Sequence, residues 1–180
     1  MHLISAYFDD KTNVMLEKYI DEVARVTGNT FMTENKVPPH LTVAAIEARS
    51  VKELRQPFLD MTGGLKAGSI SLVSIGQLLP YVFYVTPVLN EYLTELSNKV
   101  YGAFKDIPDT EISKYYRPGN WLPHVTIGKK LSEEQMKQAF ELMYKRFQPL
   151  EAGIVELGLS KVNPHEDVER IILRSIYGYY

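Results

Sequence analysis

The stretch Pro39-His40-Leu41-Thr42-Val43 recurs further along the chain as Pro123-His124-Val125-Thr126-Ile127. In each copy His and Thr alternate with apolar residues, which is the period of a strand. The imidazole and the hydroxyl therefore project from one face and the apolar side chains from the other. The surroundings repeat as well. Ser50-Val51-Lys52-Glu53 follows the first copy and Ser132-Glu133-Glu134-Gln135 the second, each a capping-box pattern that opens a helix. The histidines are 84 positions apart and the serines 82. Ahead of each motif runs a helical stripe: Leu16, Tyr19, Ile20, Val23 and Val26, stopped at Gly28, and then Leu93, Leu96, Val100 and Phe104. Behind each lie two apolar runs, 69–79 and 81–85 about Pro80, and 153–162 and 168–176 about Asn163-Pro164. With a short strand from Leu3 to Phe8, the pattern predicts an α+β fold built by internal duplication. It is expected as a single bilobal domain, 1–180, with pseudo-symmetric lobes of approximately 1–87 and 88–180, the segment before each motif being a loop.

Composition narrows the function. The 180 residues are 45% apolar, as in an ordinary globular domain. Twenty Lys and Arg against 22 Asp and Glu give a formal net charge of −2, so the broad basic field of a protein that coats extended nucleic acid is missing. A nucleic-acid partner is expected to be short or held locally. Cysteine is absent, which removes disulfides, thiolate metal sites and cysteine nucleophiles. The first residues lack a basic leader, and no apolar run approaches the ~18 residues of a membrane span. A cytoplasmic location and no membrane partner are expected. Gly63-Gly64 lacks the Gly-Lys-Ser/Thr of a nucleotide-binding loop. No His or carboxylate shares a strand face with His40 or His124 to complete a zinc site, so neither metal nor cofactor is expected.

If the two lobes pack about a pseudo-twofold axis, two imidazoles and two hydroxyls converge on one cleft. In-line displacement at phosphorus needs a base for the attacking oxygen and an acid for the leaving oxygen on opposite sides of the phosphorus. An imidazole pKa near 6.5 lets one neutral and one protonated histidine coexist near neutral pH. The threonine hydroxyls can donate to the non-bridging oxygens. The competing reading is a purely structural duplication in which His and Thr cap a sheet.

The paired motifs His40-Leu41-Thr42-Val43 and His124-Val125-Thr126-Ile127 resemble the signatures of the two-histidine (2H) phosphoesterase superfamily, which includes the 2′-5′ RNA ligase-like proteins and cyclic nucleotide phosphodiesterases. The resemblance extends over essentially the whole chain. It implies two antiparallel sheets around a central cleft with helices on the outer faces. It also implies metal-independent hydrolysis of an RNA-like or nucleotide phosphodiester, above all a 2′,3′-cyclic phosphate. By that resemblance His40 and His124 share the acid and base roles and Thr42 and Thr126 bind phosphate. The alternatives are a module that binds a nucleotide or RNA end in the same cleft without turnover, and a 2′-5′ RNA ligase.

Further residues are candidates for holding the substrate. Tyr115, Tyr116, Arg117 and Trp121 precede the second motif and offer aromatic faces and a guanidinium. Lys130 shares the face of His124 and Thr126 if the strand continues straight. Tyr7, in the first strand, can run beside a histidine strand. His2 and His165 are expected at the surface, and the protein is expected to be a monomer.

Overall fold

The computed structural model describes residues 1–162 and 166–174. Its elements are β1 (His2–Phe8), α1 (Asp10–Thr27), α2 (Phe31–Asn35), β2 (His40–Glu47), α3 (Lys52–Thr62), β3 (Gly68–Leu78), β4 (Val82–Pro87), α4 (Glu91–Phe104), β5 (Glu111–Ile112), β6 (Val125–Lys129), α5 (Glu133–Arg146), β7 (Leu150–Lys161) and β8 (Glu166–Ile172). A short 3-10 turn, Lys114–Tyr116, lies between β5 and β6.

Local chemistry sets the helix ends. Asp9 caps α1 by accepting from the Thr12 amide at 2.8 Å, and Gly28 closes it with φ of 69°, a left-handed conformation that suits glycine. Asn90 caps α4 through the Leu93 amide. The Ser132–Gln135 capping box forms in full. The one expected at Ser50 does not: Val51 occupies the cap position, and Ser50 Oγ accepts from the Lys52 amide instead. The segments expected as loops ahead of each histidine motif hold α2 and β5, both too short to show a period. His165 and the turn at Asn163-Pro164 lie outside the described residues, as does the end of the last apolar run beyond Arg174.

The α+β class holds, with all strand pairs antiparallel within one hydrogen-bonded eight-stranded sheet. The two sheets implied by the family resemblance are present as two halves of it. One half is β2-β1-β7-β8, with the short β5 paired to β2, and the other β6-β4-β3. They join where β2 meets β6, through the single pair Leu41↔Val125, and where β3 meets β7. The pairing is pseudo-symmetric: β1 stands to β2 and β7 as β4 stands to β6 and β3. The last strand of each unit is thereby handed to the other half. The helices cross over too, α1 packing with α5 against β6 and α4 packing with α3, with α4 against β2. Leu41, Val43, Val125 and Ile127 face these helices as part of one buried apolar core. Among the described residues no helix is long and apolar enough to cross a membrane.

Candidate functional site

Register decides which side chains share the opposite face. Leu41 and Val125 are direct partners across the β2–β6 junction. Carrying that antiparallel register one residue outward sets His40 opposite Thr126 and Thr42 opposite His124. All four lie on the face turned away from the core, and all four are half-buried. Diagonal neighbours across such a pair are about 7–8 Å apart, so the two histidines stand diagonally across the junction with a threonine opposite each.

The prolines of the two motifs hold the rings. His40 Nδ1 donates to the Pro38 carbonyl at 2.9 Å and His124 Nδ1 to the Leu122 carbonyl at 2.8 Å. Each of those carbonyls belongs to the amide whose nitrogen is the motif's proline, Pro39 or Pro123. That ring fixes φ and so aims the carbonyl. A carbonyl only accepts, so Nδ1 keeps its hydrogen and Nε2 is the nitrogen that titrates. Burial lowers the pKa of His124 below the ordinary histidine value, the bond to Leu122 opposing it in part.

Residues from neighbouring strands complete the face. Thr42 pairs across to Ser5, Gly158 and Arg170, and His40 to Tyr7 and Glu156. In the other half Thr126 pairs across to Tyr84 and Gly76. Tyr7 and Tyr84 are buried, yet neither belongs to the apolar core. Each lies against a catalytic-candidate ring, Tyr7 6.1 Å from His40 and Tyr84 5.3 Å from His124 between ring centroids. Each also lies over a glycine. A Cβ on Gly158 would come within 2.7 Å of the Tyr7 ring, and one on Gly76 within 2.6 Å of the Tyr84 ring. The halves differ in charge. The Arg170 guanidinium covers Tyr7 at 3.7 Å and reaches the carboxylates of Glu156 at 3.6 Å and Asp167 at 3.8 Å. Burial first, then Asp167, pushes the Tyr7 phenol up to about 12.

Two further bonds fix the junction. The Trp121 indole donates to the Thr42 carbonyl at 3.0 Å, and the Thr86 hydroxyl donates to the Pro123 carbonyl at 2.8 Å. Both tie the segment entering β6 to a neighbouring strand.

A family model described as the 2′-5′ RNA ligase superfamily matches residues 15–166. The chain belongs to that superfamily. Its likeness to the 2H phosphoesterases is thereby borne out, and membership supports phosphodiester chemistry as the class of activity. Solved structures share the fold. The protein TT0787 of Thermus thermophilus aligns with a TM-score of 0.64 at 16% identity, covering 98% of this chain and 99% of that one. A phosphoesterase gives 0.63 at 15%, covering 96% and 98%. LigT of E. coli in its apo form gives 0.61 at 17%, covering 96% of each. A comparison with curated protein sequences gives no match.

Among the substrate-holding candidates of this ligase-superfamily chain, the structure brings Tyr7 to the site and sets the others elsewhere. Trp121 is buried in the core, with its indole N–H bound to β2. Tyr116 is half-buried against the core. Tyr115 is exposed in a hollow of about 340 Å³ lined by Ala45 and Glu47, at the far end of β2 from His40. Arg117 is exposed and turns its guanidinium toward the Ile112 carbonyl at 3.4 Å. Lys130 does not continue the His124 face: β6 carries one extra residue against β4 between Thr126 and Gly128, which breaks the alternation, and a φ of 57° at Lys130 then ends the strand with its ammonium over Phe31. His2 is buried rather than exposed, at 7%. Among the described residues no group of three or more His, Asp or Glu is placed to hold a metal. Sequence reasoning missed Tyr84, Thr86 and the two glycines, whose only signal is strand pairing.

Proposed function

We propose that this chain is a phosphodiesterase that opens a nucleoside 2′,3′-cyclic phosphate, with His40 and His124 as the acid–base pair and Thr42 and Thr126 as donors to the phosphate. The observation that carries this reading is the Leu41↔Val125 register, which sets two His-x-Thr units head to tail on one face. One neutral imidazole takes a proton from water at Nε2 as the water oxygen bonds to phosphorus. The other, protonated, gives its Nε2 proton to the ribose oxygen as the P–O bond breaks. The products are a phosphomonoester and a free hydroxyl, and the two imidazoles have exchanged protonation states. The threonine hydroxyls donate to the non-bridging oxygens as charge builds on them. LigT of E. coli has been crystallised with 3′-AMP and with phosphate. A nucleoside 3′-monophosphate is a product class of this ring opening.

The test is turnover of nucleoside 2′,3′-cyclic phosphates in EDTA by the wild type and by the His40→Ala and His124→Ala variants. Each variant is expected to lose about 10²–10⁴-fold in kcat with its fold intact. Wild-type turnover in either variant refutes the assignment.

A further inference from the structure

The two sides of the histidine face differ in what lies beyond the histidines. On the first side one cross-strand row runs from His40 through Tyr7 and Glu156 to Ile172, and the next from Thr42 through Ser5 and Gly158 to Arg170. Direct partners in a sheet share a face, so Glu156, Ile172 and Arg170 stand on the same face as His40 and Thr42. The distances agree. The Arg170 guanidinium lies 3.7 Å from the centre of the Tyr7 ring, and that centre lies 6.1 Å from the centre of the His40 ring. Guanidinium and imidazole are therefore no further apart than the sum of the two.

These residues form a platform. Tyr7 is buried and rests on Gly158, where a Cβ would meet its ring at 2.7 Å. Arg170 stacks on Tyr7 and is itself exposed, so one face of the planar guanidinium lies on the ring and the other is open to solvent. Arg170 Nε is 3.6 Å from the Glu156 carboxylate and 3.8 Å from that of Asp167, both beyond hydrogen-bond range. Among the described residues the Glu156 carboxylate accepts no hydrogen bond. Ile172, at the end of the His40 row, is 81% exposed. The second side has no counterpart: among the described residues no cation lies over Tyr84, the ring that covers Gly76.

Charge decides what such a platform holds. Two carboxylates already face the one guanidinium, so a phosphate placed there meets their repulsion as well as its attraction. A planar uncharged ring stacks on a guanidinium without that cost, and a carboxylate at its edge calls for N–H donors. A nucleobase supplies both. Guanine fits best, because its adjacent N1–H and N2–H donors match the two oxygens of one carboxylate. Adenine and cytosine set an amino group beside an acceptor nitrogen. Uracil sets its one N–H between two carbonyl oxygens, which a carboxylate repels.

We propose that Arg170, stacked on Tyr7, is the platform for the nucleobase of the substrate, and that Glu156 reads the edge of that base, so that the enzyme favours guanine and disfavours uracil. The inference rests on the phosphodiesterase reading above and adds base selectivity to it.

The experiment compares kcat and KM for the 2′,3′-cyclic phosphates of guanosine, adenosine, cytidine and uridine in the wild type, Glu156→Gln and Arg170→Leu, with thermal unfolding to show that each variant is folded. The wild type is expected to prefer guanosine to uridine in kcat/KM by about tenfold or more, the discrimination one bidentate pair gives against a wrong base. Glu156→Gln should lower kcat/KM for guanosine and raise it for uridine, because an amide offers one donor and one acceptor where the carboxylate offers two acceptors. Damage to the fold alone would lower both. Arg170→Leu should raise KM for all four with a smaller change in kcat. A wild-type ratio near one, a ratio unchanged in Glu156→Gln, or a wild-type KM in Arg170→Leu overturns the inference. Turnover of none of the four would defeat the phosphodiesterase reading alone. Calorimetry with guanosine and uridine 3′-monophosphates decides the platform independently: tighter binding of the guanosine compound that Glu156→Gln removes supports it, and equal binding of the two overturns it.

Discussion

Thr86→Val removes one hydroxyl and almost no volume. In the native protein that hydroxyl donates at 2.8 Å to the carbonyl of Pro123, the residue joined directly to His124. Thr86 is half-buried and Pro123 buried, so water replaces the donor poorly. The lost bond costs about 1 kcal/mol, which for a chain of this length is a fall in Tm of about 2–4 °C. The effect on catalysis should be out of proportion to that. The Pro123 peptide carries the Cα of His124, and a displacement of about 1 Å at a reacting group costs on the order of 10²-fold. We therefore expect kcat to fall about 10- to 100-fold while the protein stays folded. Turnover of a 2′,3′-cyclic nucleotide gives the first reading, thermal unfolding the second. The imidazole resonances of His124 by NMR give a third that needs no substrate: they should shift, while those of His40 stay in place. Wild-type kcat with unmoved His124 resonances would show that Thr86 does not position the ring.

Two other outcomes follow from the same face. Gly158→Ala sets a methyl about 2.7 Å from the Tyr7 ring, and should destabilise by about 1–3 kcal/mol in a urea titration. The double change Gly158→Ala with Tyr7→Leu should recover part of that loss, and no recovery would mean the ring is not what the methyl meets. His124 is held below its ordinary pKa by burial, so near pH 6.5 the native state binds fewer protons than the unfolded chain. Its contribution is present above the unfolded pKa and lost as pH falls through the folded one. Urea midpoints should decline on acidification below about pH 6.5 and decline less in His124→Gln. His2, lowered chiefly by burial as well, supplies a remainder of the same sign.

Sequence carried far for the two motifs because their information is local. Alternation over five residues places His40 and Thr42 on one face whatever strand lies alongside, and the same holds for His124 and Thr126. Helix positions were legible for the same reason, the stripe from Leu16 to Val23 ending at a glycine that the structure finds left-handed. What joins distant strands left no such trace. Tyr84 reads as an ordinary member of the 81–85 apolar run, and Thr86 lies just past it, until β4 is known to lie beside β6. Gly76 and Gly158 read as gaps in strands until a tyrosine ring is found over each. Lys130 leaves the His124 face because β6 carries an extra residue between Thr126 and Gly128 and then turns at a positive φ, and neither departure from a straight strand shows in the alternation. Trp121 looked like a ligand-stacking group from its closeness to His124. In the fold its indole is a strut between the two histidine strands.

The exchange of last strands between the two halves of the sheet bears on how such a chain folds and arose. β3 finds its partners in β4 and β7, and β7 finds its own in β1, β3 and β8. Neither β1-α1-β2-α3-β3 nor β4-α4-β6-α5-β7 can close a sheet half alone, so the chain should unfold in one cooperative step, and its two fragments should regain structure only when mixed. Contacts of this range are slow to form. A single ancestral unit with this topology would have had to trade its last strand with a second copy of itself. Such a swapped homodimer would carry two facing histidines, one from each copy.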